Sequence, residues 1–293
     1  MIPECIFSDA PGYQEDFQGF PLSLADFYQN PESYRAAPFC IFGNLYYVGN
    51  KKVCMHLVDT GAGLILFDTG YGNDREMLLE SIRSLGFTPA DVRLVIHSHG
   101  HFDHFNSGDY FREHFGSTIC MSRVDTELLE EMPERALCRF GPDPAQGICW
   151  PDIRLEDRQV ITLGNTAIRC VSAPGHTYGT MAFFFEAKDR AGTVRRVGYW
   201  GGCGFLTTYR AYCRKMKLPE RKLEIMGETI RKLRSEQVDI VLGNHPNQNN
   251  TIGKYARMRE QPEENPFINP NSWSIFLSEL DRYRVRLLES DKY

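Results

Sequence analysis

From residue 40 onward the chain alternates short apolar runs with turn-forming residues. Residues 44–48, 53–58 and 64–67 carry β-type runs separated by Gly49-Asn50 and by Thr60-Gly61-Ala62-Gly63, a pattern that predicts an antiparallel meander. Apolar residues then recur at helical spacing over 76–85 and stop at Gly86, after which 92–96 forms an apolar strand. Further on, 108–113 and 123–131 read as helices, and 160–163, 167–172, 181–186 and 194–200 as strands. The second half thus repeats the strand-rich plan of the first. An amphipathic helix over 219–235, a short buried strand over 240–242 and a C-terminal helix over 272–288 complete the elements. Strands flanked by helices predict a layered α/β architecture. Residues 1–36 lack this periodicity and are rich in Pro, aromatic and acidic side chains. They read as an N-terminal arm with a helix over 22–29. Phe17, Phe20, Phe27 and Tyr28 there would pack against the sheet, or else form a lid.

Composition narrows the class. With 293 residues, 42% hydrophobic and 24% charged, the chain can bury a sizeable core. No linker-like stretch divides it, so residues 1–293 read as a single domain. Lys and Arg number 33 against 38 Asp and Glu, a net charge of −5, which provides no field to draw the chain to nucleic acid or an acidic membrane. No apolar run approaches the roughly 20 residues that span a bilayer. The opening Met1-Ile2-Pro3-Glu4-Cys5 lacks the basic and apolar regions of a secretory signal. The 9 cysteines, an odd count scattered from Cys5 to Cys213, suit reduced thiols. A cytoplasmic protein acting on a small molecule is expected.

The chemistry concentrates after the strand over 92–96. Ser98-His99-Gly100-His101-Phe102-Asp103-His104 places three imidazoles and a carboxylate in six residues. In an extended chain His99 and His101 project to one side, while Asp103 and His104, where the chain turns into a helix, can point to a second position nearby. Two further histidines follow strands, His176 in Ala173-Pro174-Gly175-His176-Thr177 and His245 in Gly243-Asn244-His245-Pro246. They complete two sets: His99, His101 and His176 around one metal, and Asp103, His104 and His245 around another. Imidazole and carboxylate suit two zinc ions, with iron or manganese feasible, and three protein ligands each leave room for a shared hydroxide.

These motifs, His99-x-His101-x-Asp103-His104, Pro174-Gly175-His176-Thr177 and the late His245, resemble the metallo-β-lactamase superfamily of metal-dependent hydrolases. The stretch over 44–68 and its Phe67-Asp68-Thr69-Gly70 end are similar to that family's opening meander and Asp-Thr-Gly turn. The resemblance implies a four-layer αββα sandwich with the metals at one edge of the two sheets, and the same ligand groups. Residues 1–36 and 205–221 fall outside the match, the latter an insert near the site. Many members carry a metal-bridging Asp after the strand that follows the Pro-Gly-His loop. This chain has Trp200-Gly201-Gly202-Cys203-Gly204 there, an arrangement similar to the true dizinc β-lactamases. Cys203 reads as a residue behind or lining the site, and alternatively as a thiolate ligand.

The expected activity is a β-lactamase-like dinuclear hydrolase that cleaves a small-molecule amide or lactam, lactone or ester bond with a metal-bound hydroxide. Asp103 would be catalytic, orienting the hydroxide and shuttling its proton. Alternatives are a thioesterase or phosphodiesterase of the same fold, an iron-dependent redox enzyme, and a non-catalytic scaffold. Asp68 is either an acceptor that fixes an imidazole or a turn former, and His56, His97 and His114 read as structural. The expected walls are Tyr71 to Arg75, the 205–218 segment with Tyr209, Arg210 and Tyr212, and 247–257. Lys215, Lys217, Arg221 and Lys222 would form a solvated helix face, or else attract an anionic substrate.

Overall fold

Successive side chains of a strand point to opposite faces, and in this protein both faces of two sheets are covered. The computed structural model describes residues 30–137, 147–205 and 207–289. Strands β1 (Phe39–Phe42), β2 (Leu45–Tyr47), β3 (His56–Asp59), β4 (Leu64–Phe67), β5 (Val92–Ile96), β6 (Thr118–Ser122) and β7 (Ile153–Leu155) form one sheet in sequence order. Its first four strands pair antiparallel, as the meander predicts, and β4 to β7 pair parallel. Strands β8 (Val160–Leu163), β9 (Thr166–Ser172), β10 (Met181–Lys188), β11 (Val194–Trp200) and β12 (Ile240–Leu242) form the second, in the order β12-β11-β10-β9-β8. The helices are α1 (Arg75–Ser84), α2 (Phe102–Phe105), α3 (Gly108–Phe115), α4 (Arg123–Glu131), α5 (Arg210–Lys215), α6 (Lys222–Leu233), α7 (Thr251–Glu260) and α8 (Ser272–Leu288).

The alternation sorts the core into three layers. Ile65, Phe67 and Ile96 meet Ile168, Phe183, Phe185 and Tyr199 between the sheets. Their strand neighbours Leu64, Leu66 and Val95 turn outward onto Leu78 and Ile82 of α1 and Phe111 of α3. On the far side Ala182, Phe184 and Trp200 turn outward onto Met226 and Ile230 of α6 and Trp273 and Leu277 of α8. Helices outside two stacked sheets make the expected αββα sandwich.

Several boundaries differ from the sequence reading for identifiable reasons. β3 begins at His56 and not at 53, because the Asn50 N–H bonds the Val53 carbonyl at 3.1 Å and the Cys54 N–H bonds the Asn244 carbonyl at 3.0 Å. β10 runs on to Lys188, whose register partner is Val194 across a hairpin. α6 starts at Lys222, three residues past Pro219. Of the N-terminal arm, Pro31–Tyr34 forms a 3-10 turn and Ala36 joins the core between the sheets. The helix expected over 22–29, with Phe17, Phe20, Phe27 and Tyr28, lies outside the described residues. Among the described residues no disulfide forms, and no helix is long and apolar enough to cross a membrane.

Candidate metal centre

Three strand ends supply the site. The chain leaves β5 through His97, Ser98, His99, Gly100 and His101 and enters α2 with Asp103 and His104. His176 follows β9 and His245 follows β12. The ends of β5 and of the second sheet are tied together where the Met181 N–H bonds the Ser98 carbonyl at 3.1 Å. The histidines of distant segments therefore meet at one edge of the sandwich.

His101 Nδ1 lies 3.0 Å from His99 Nε2 and 2.9 Å from His176 Nε2. All three rings are buried, and one nitrogen of each lies within 4.8 Å of the others. A second group with the same spacing joins His99, Asp103 and His104. His245 Nε2 stands 3.7 Å from Asp103 Oδ2, and its ring centroid is 5.1 Å from that of His104. The six residues of the two expected sets lie near one another, but the second group takes in His99 where His245 was expected, and His245 stands at its edge.

The other nitrogen of four rings is held. His176 Nδ1 donates to the Gly204 carbonyl at 2.7 Å and His245 Nδ1 to the Lys52 carbonyl at 2.8 Å. His104 Nδ1 meets Asp68 Oδ2 at 2.9 Å, and His99 Nδ1 meets Ser98 Oγ at 3.0 Å. A carbonyl can only accept, so His176 and His245 carry their proton on Nδ1 and turn a lone pair toward the site. His104 Nε2 is buried with no hydrogen-bond partner among the described residues. This nitrogen lies 3.3 Å from Asp103 Oδ2, and with further imidazoles close by the group fits a divalent cation.

Electrostatics agree with geometry. Burial first, and then repulsion among the rings, holds His99 and His101 well below the usual imidazole range. Burial lowers His176 to about 3. Neutral imidazole is the form that binds metal. Burial also works against charge on His104, but Asp103 and Asp68 outweigh it and raise the ring to about 10. Asp103 is held well below the carboxylate range despite its burial, through His104 and His245. This end of the site attracts positive charge.

Asp68 both shapes a turn, at φ +59°, and fixes an imidazole. Its Oδ1 accepts the Ser98 N–H at 2.7 Å, and its Oδ2 accepts Ser98 Oγ at 2.8 Å and the Tyr199 hydroxyl at 2.6 Å. His56 and His97 are buried and pushed down to about 4 by desolvation, and neither joins a donor group. His114 lies outside those groups too, with Nδ1 near the Tyr110 carbonyl at 3.1 Å. Cys203 is the residue expected behind or lining the site. It is buried in the apolar cluster of Trp200, Phe205 and Leu223 and belongs to neither donor group. It lies in the irregular segment after β11, where the flanking Gly202 and Gly204 lie against His176.

Lys222 corrects the expectation of a solvated face. It is 2% exposed, and its Nζ donates to the His176 carbonyl at 2.8 Å. Its place at the start of α6 turns it inward, while Lys215, Lys217 and Arg221 are exposed. Tyr71 and Asp74 of the expected wall are also buried, Tyr71 packing edge-on against Phe102 at 5.2 Å. The sequence reading missed Ser98, Tyr199 and Thr207, whose Oγ1 donates to the His176 carbonyl at 2.5 Å. Only Ser98, next to His99, was visible locally. The others reach the site across the fold.

The profile described as the Metallo-beta-lactamase superfamily matches residues 53–189. The hydroxyacylglutathione hydrolase GloC of Haemophilus influenzae is 28% identical over 205 residues, 69% of this chain and 86% of that protein. The probable polyketide biosynthesis zinc-dependent hydrolase PksB of Bacillus subtilis is 30% identical over 115 residues, 39% of this chain and 43% of that protein. The chain thus spans less than half of that relative. In structure it is similar to a subclass B3 metallo-beta-lactamase of Bradyrhizobium japonicum, at TM-score 0.74 and 24% identity, covering 87% of this chain and 95% of the other. The native metallo-beta-lactamase of Legionella gormanii gives TM-score 0.76 and 24% identity over 87% of this chain and 97% of the other. At such identities the likeness to these two is one of fold.

Proposed function

The chain belongs to the metallo-β-lactamase superfamily and is a metal-dependent hydrolase, and on that footing we propose that it holds two zinc ions and cleaves an amide or lactam, lactone or ester bond of a small molecule. His99, His101 and His176 would hold one ion and Asp103, His104 and His245 the other. The observation that carries this is the convergence of two buried donor groups, His99, His101 and His176, and His99, Asp103 and His104, with His245 at the edge of the second. Divalent ions held there supply Lewis acidity and an activated water at neutral pH. The chain's own residues do the rest. Asp103, kept ionised by His104 and His245, orients the attacking water and takes its proton. Asp68, Gly204 and Lys52 hold the rings of His104, His176 and His245 in orientation, which spares reorganisation during the reaction.

Asp103 is the one carboxylate in the two donor groups, and Gly202 and Cys203 stand where a bridging Asp would be expected. This favours a β-lactamase-like reaction. A second reading, thioester hydrolysis, is favoured by the similarity to GloC and by a 25% identical carboxyl ACP thioesterase of Aspergillus fumigatus over 216 residues. The test is the metal content of protein purified without added metal, together with turnover of a chromogenic cephalosporin, a lactone, a thioester and bis(p-nitrophenyl) phosphate by wild type and His101→Ala. We expect two zinc per chain and hydrolysis of one acyl class, both diminished in the variant. One iron per chain with no hydrolysis overturns the proposal.

A further inference from the structure

The three-histidine group is assembled from two loops with no covalent tie between them. His99 and His101 stand on the β5–α2 segment, and His176 on the connection between β9 and β10. Between the loops lies Asp125, in the first turn of α4 and 3% exposed. Its Oδ2 accepts the Gly100 N–H at 2.7 Å, between His99 and His101, and the Thr177 hydroxyl at 2.7 Å, next to His176. Its Oδ1 accepts the Gly179 N–H at 2.8 Å. One buried carboxylate therefore bonds both loops.

The approach is close enough to need glycine at 179 and to crowd a side chain at 100. A Cβ on Gly100 would lie 3.1 Å from Asp125 Cβ, and one on Gly179 would lie 2.3 Å from Asp125 N. Asp125 is itself fixed, since Ser122 Oγ accepts its N–H at 3.1 Å and caps α4. Opposite, the Lys222 ammonium and the Thr207 hydroxyl grip the His176 carbonyl. The His176 loop is held from two sides, but Asp125 alone of these residues also holds the His101 segment.

We propose that Asp125 is a positioning residue that sets the spacing of His101 and His176, and through it the affinity of the three-histidine position for a divalent cation. The proposal rests on the metal-centre reading above. Loss of partners that orient metal ligands costs about 10–100-fold in affinity. Asp125 works one bond further out, through backbone and Thr177, so the low end, about tenfold, is expected.

The test titrates Zn²⁺ against a competing chelator, and records the visible spectrum of the Co²⁺-loaded protein, for wild type, Asp125→Asn and Thr177→Val. Asn keeps the shape but turns an N–H toward either the Gly179 N–H or the Gly100 N–H. Expected is about tenfold weaker binding at one of two sites, the other unchanged, and a shifted Co²⁺ band. Thr177→Val, which deletes the Thr177 hydroxyl's bonds to Asp125 and Thr180 but leaves both backbone bonds to Asp125, moves both in the same direction by less, and carries the test if Asp125→Asn does not fold. Wild-type affinities and an unchanged Co²⁺ spectrum overturn the proposal, as does equal weakening at both sites, the sign of a general structural role. Wild type that binds no Zn²⁺ overturns the metal-centre reading itself, and this proposal with it.

Discussion

Four hydrogen bonds converge on the two oxygens of Asp68, from the Ser98 N–H and hydroxyl, His104 and Tyr199. The carboxylate is buried, so each donor offsets part of the cost of taking its charge out of water. Removing one leaves that charge partly uncompensated, which costs more than the bond itself. Tyr199→Phe deletes the hydroxyl and nothing else. It should lower the unfolding free energy by about 1.5–3 kcal/mol, as for a hydrogen bond to a charged group. Urea denaturation in the presence of chelator reads this apart from any change in metal binding. A loss under 0.5 kcal/mol, the range of surface substitutions, would mean that the three remaining donors suffice.

At the scale of elements, the buried faces of the two sheets carry the stabilisation and exposed edge positions carry little. Phe67, the last residue of β4, packs its ring 5.3 Å from Phe183, 5.5 Å from Phe185 and 5.5 Å from Tyr199. Phe67→Ala should cost about 3–5 kcal/mol through lost burial and the cavity left between two rigid sheets. Val160, at the start of the edge strand β8, is 56% exposed, and Val160→Ala should stay within about 0.5 kcal/mol. Denaturant midpoints at constant m-value compare the two. Because Phe67 immediately precedes Asp68, the first variant should also weaken zinc binding, whereas the second should not.

For the whole molecule, stability depends on pH through groups that folding moves away from water. Burial pushes the Lys222 ammonium down to about 8 from the ordinary lysine value of 10.5. The folded state thus prefers the neutral amine. Its contribution is present in full above the unfolded value and is lost as pH falls through about 8. Unfolding free energy should therefore rise between pH 8 and 10 more steeply in wild type than in Lys222→Met, read by denaturation at each pH with chelator present. Parallel profiles would show that the ammonium is as well accommodated folded as unfolded, through the His176 carbonyl and the Tyr178 and Tyr212 rings 5.6 and 5.1 Å away.

Whatever depends on near neighbours in the chain was legible in the sequence. The period-two and helical patterns located most strands and the longer helices, and the packed His99–His104 run marked a candidate cation site directly after a buried strand. Elements with little apolar signal escaped. β7 has three residues, and α7 fully buries only Thr251 of its ten, its Ile252, Tyr255 and Met258 packing only partly against the core, so both give a weak signal. Long-range contacts were settled by the tertiary structure alone. Tyr199 reaches Asp68 across 131 residues and Asp125 reaches Gly179 across 54, and no local pattern encodes such meetings. Lys222 was misread for the same reason. A lysine's place on a helix can be read from spacing, but whether that face meets water or a second loop depends on how the sheets bring distant segments together.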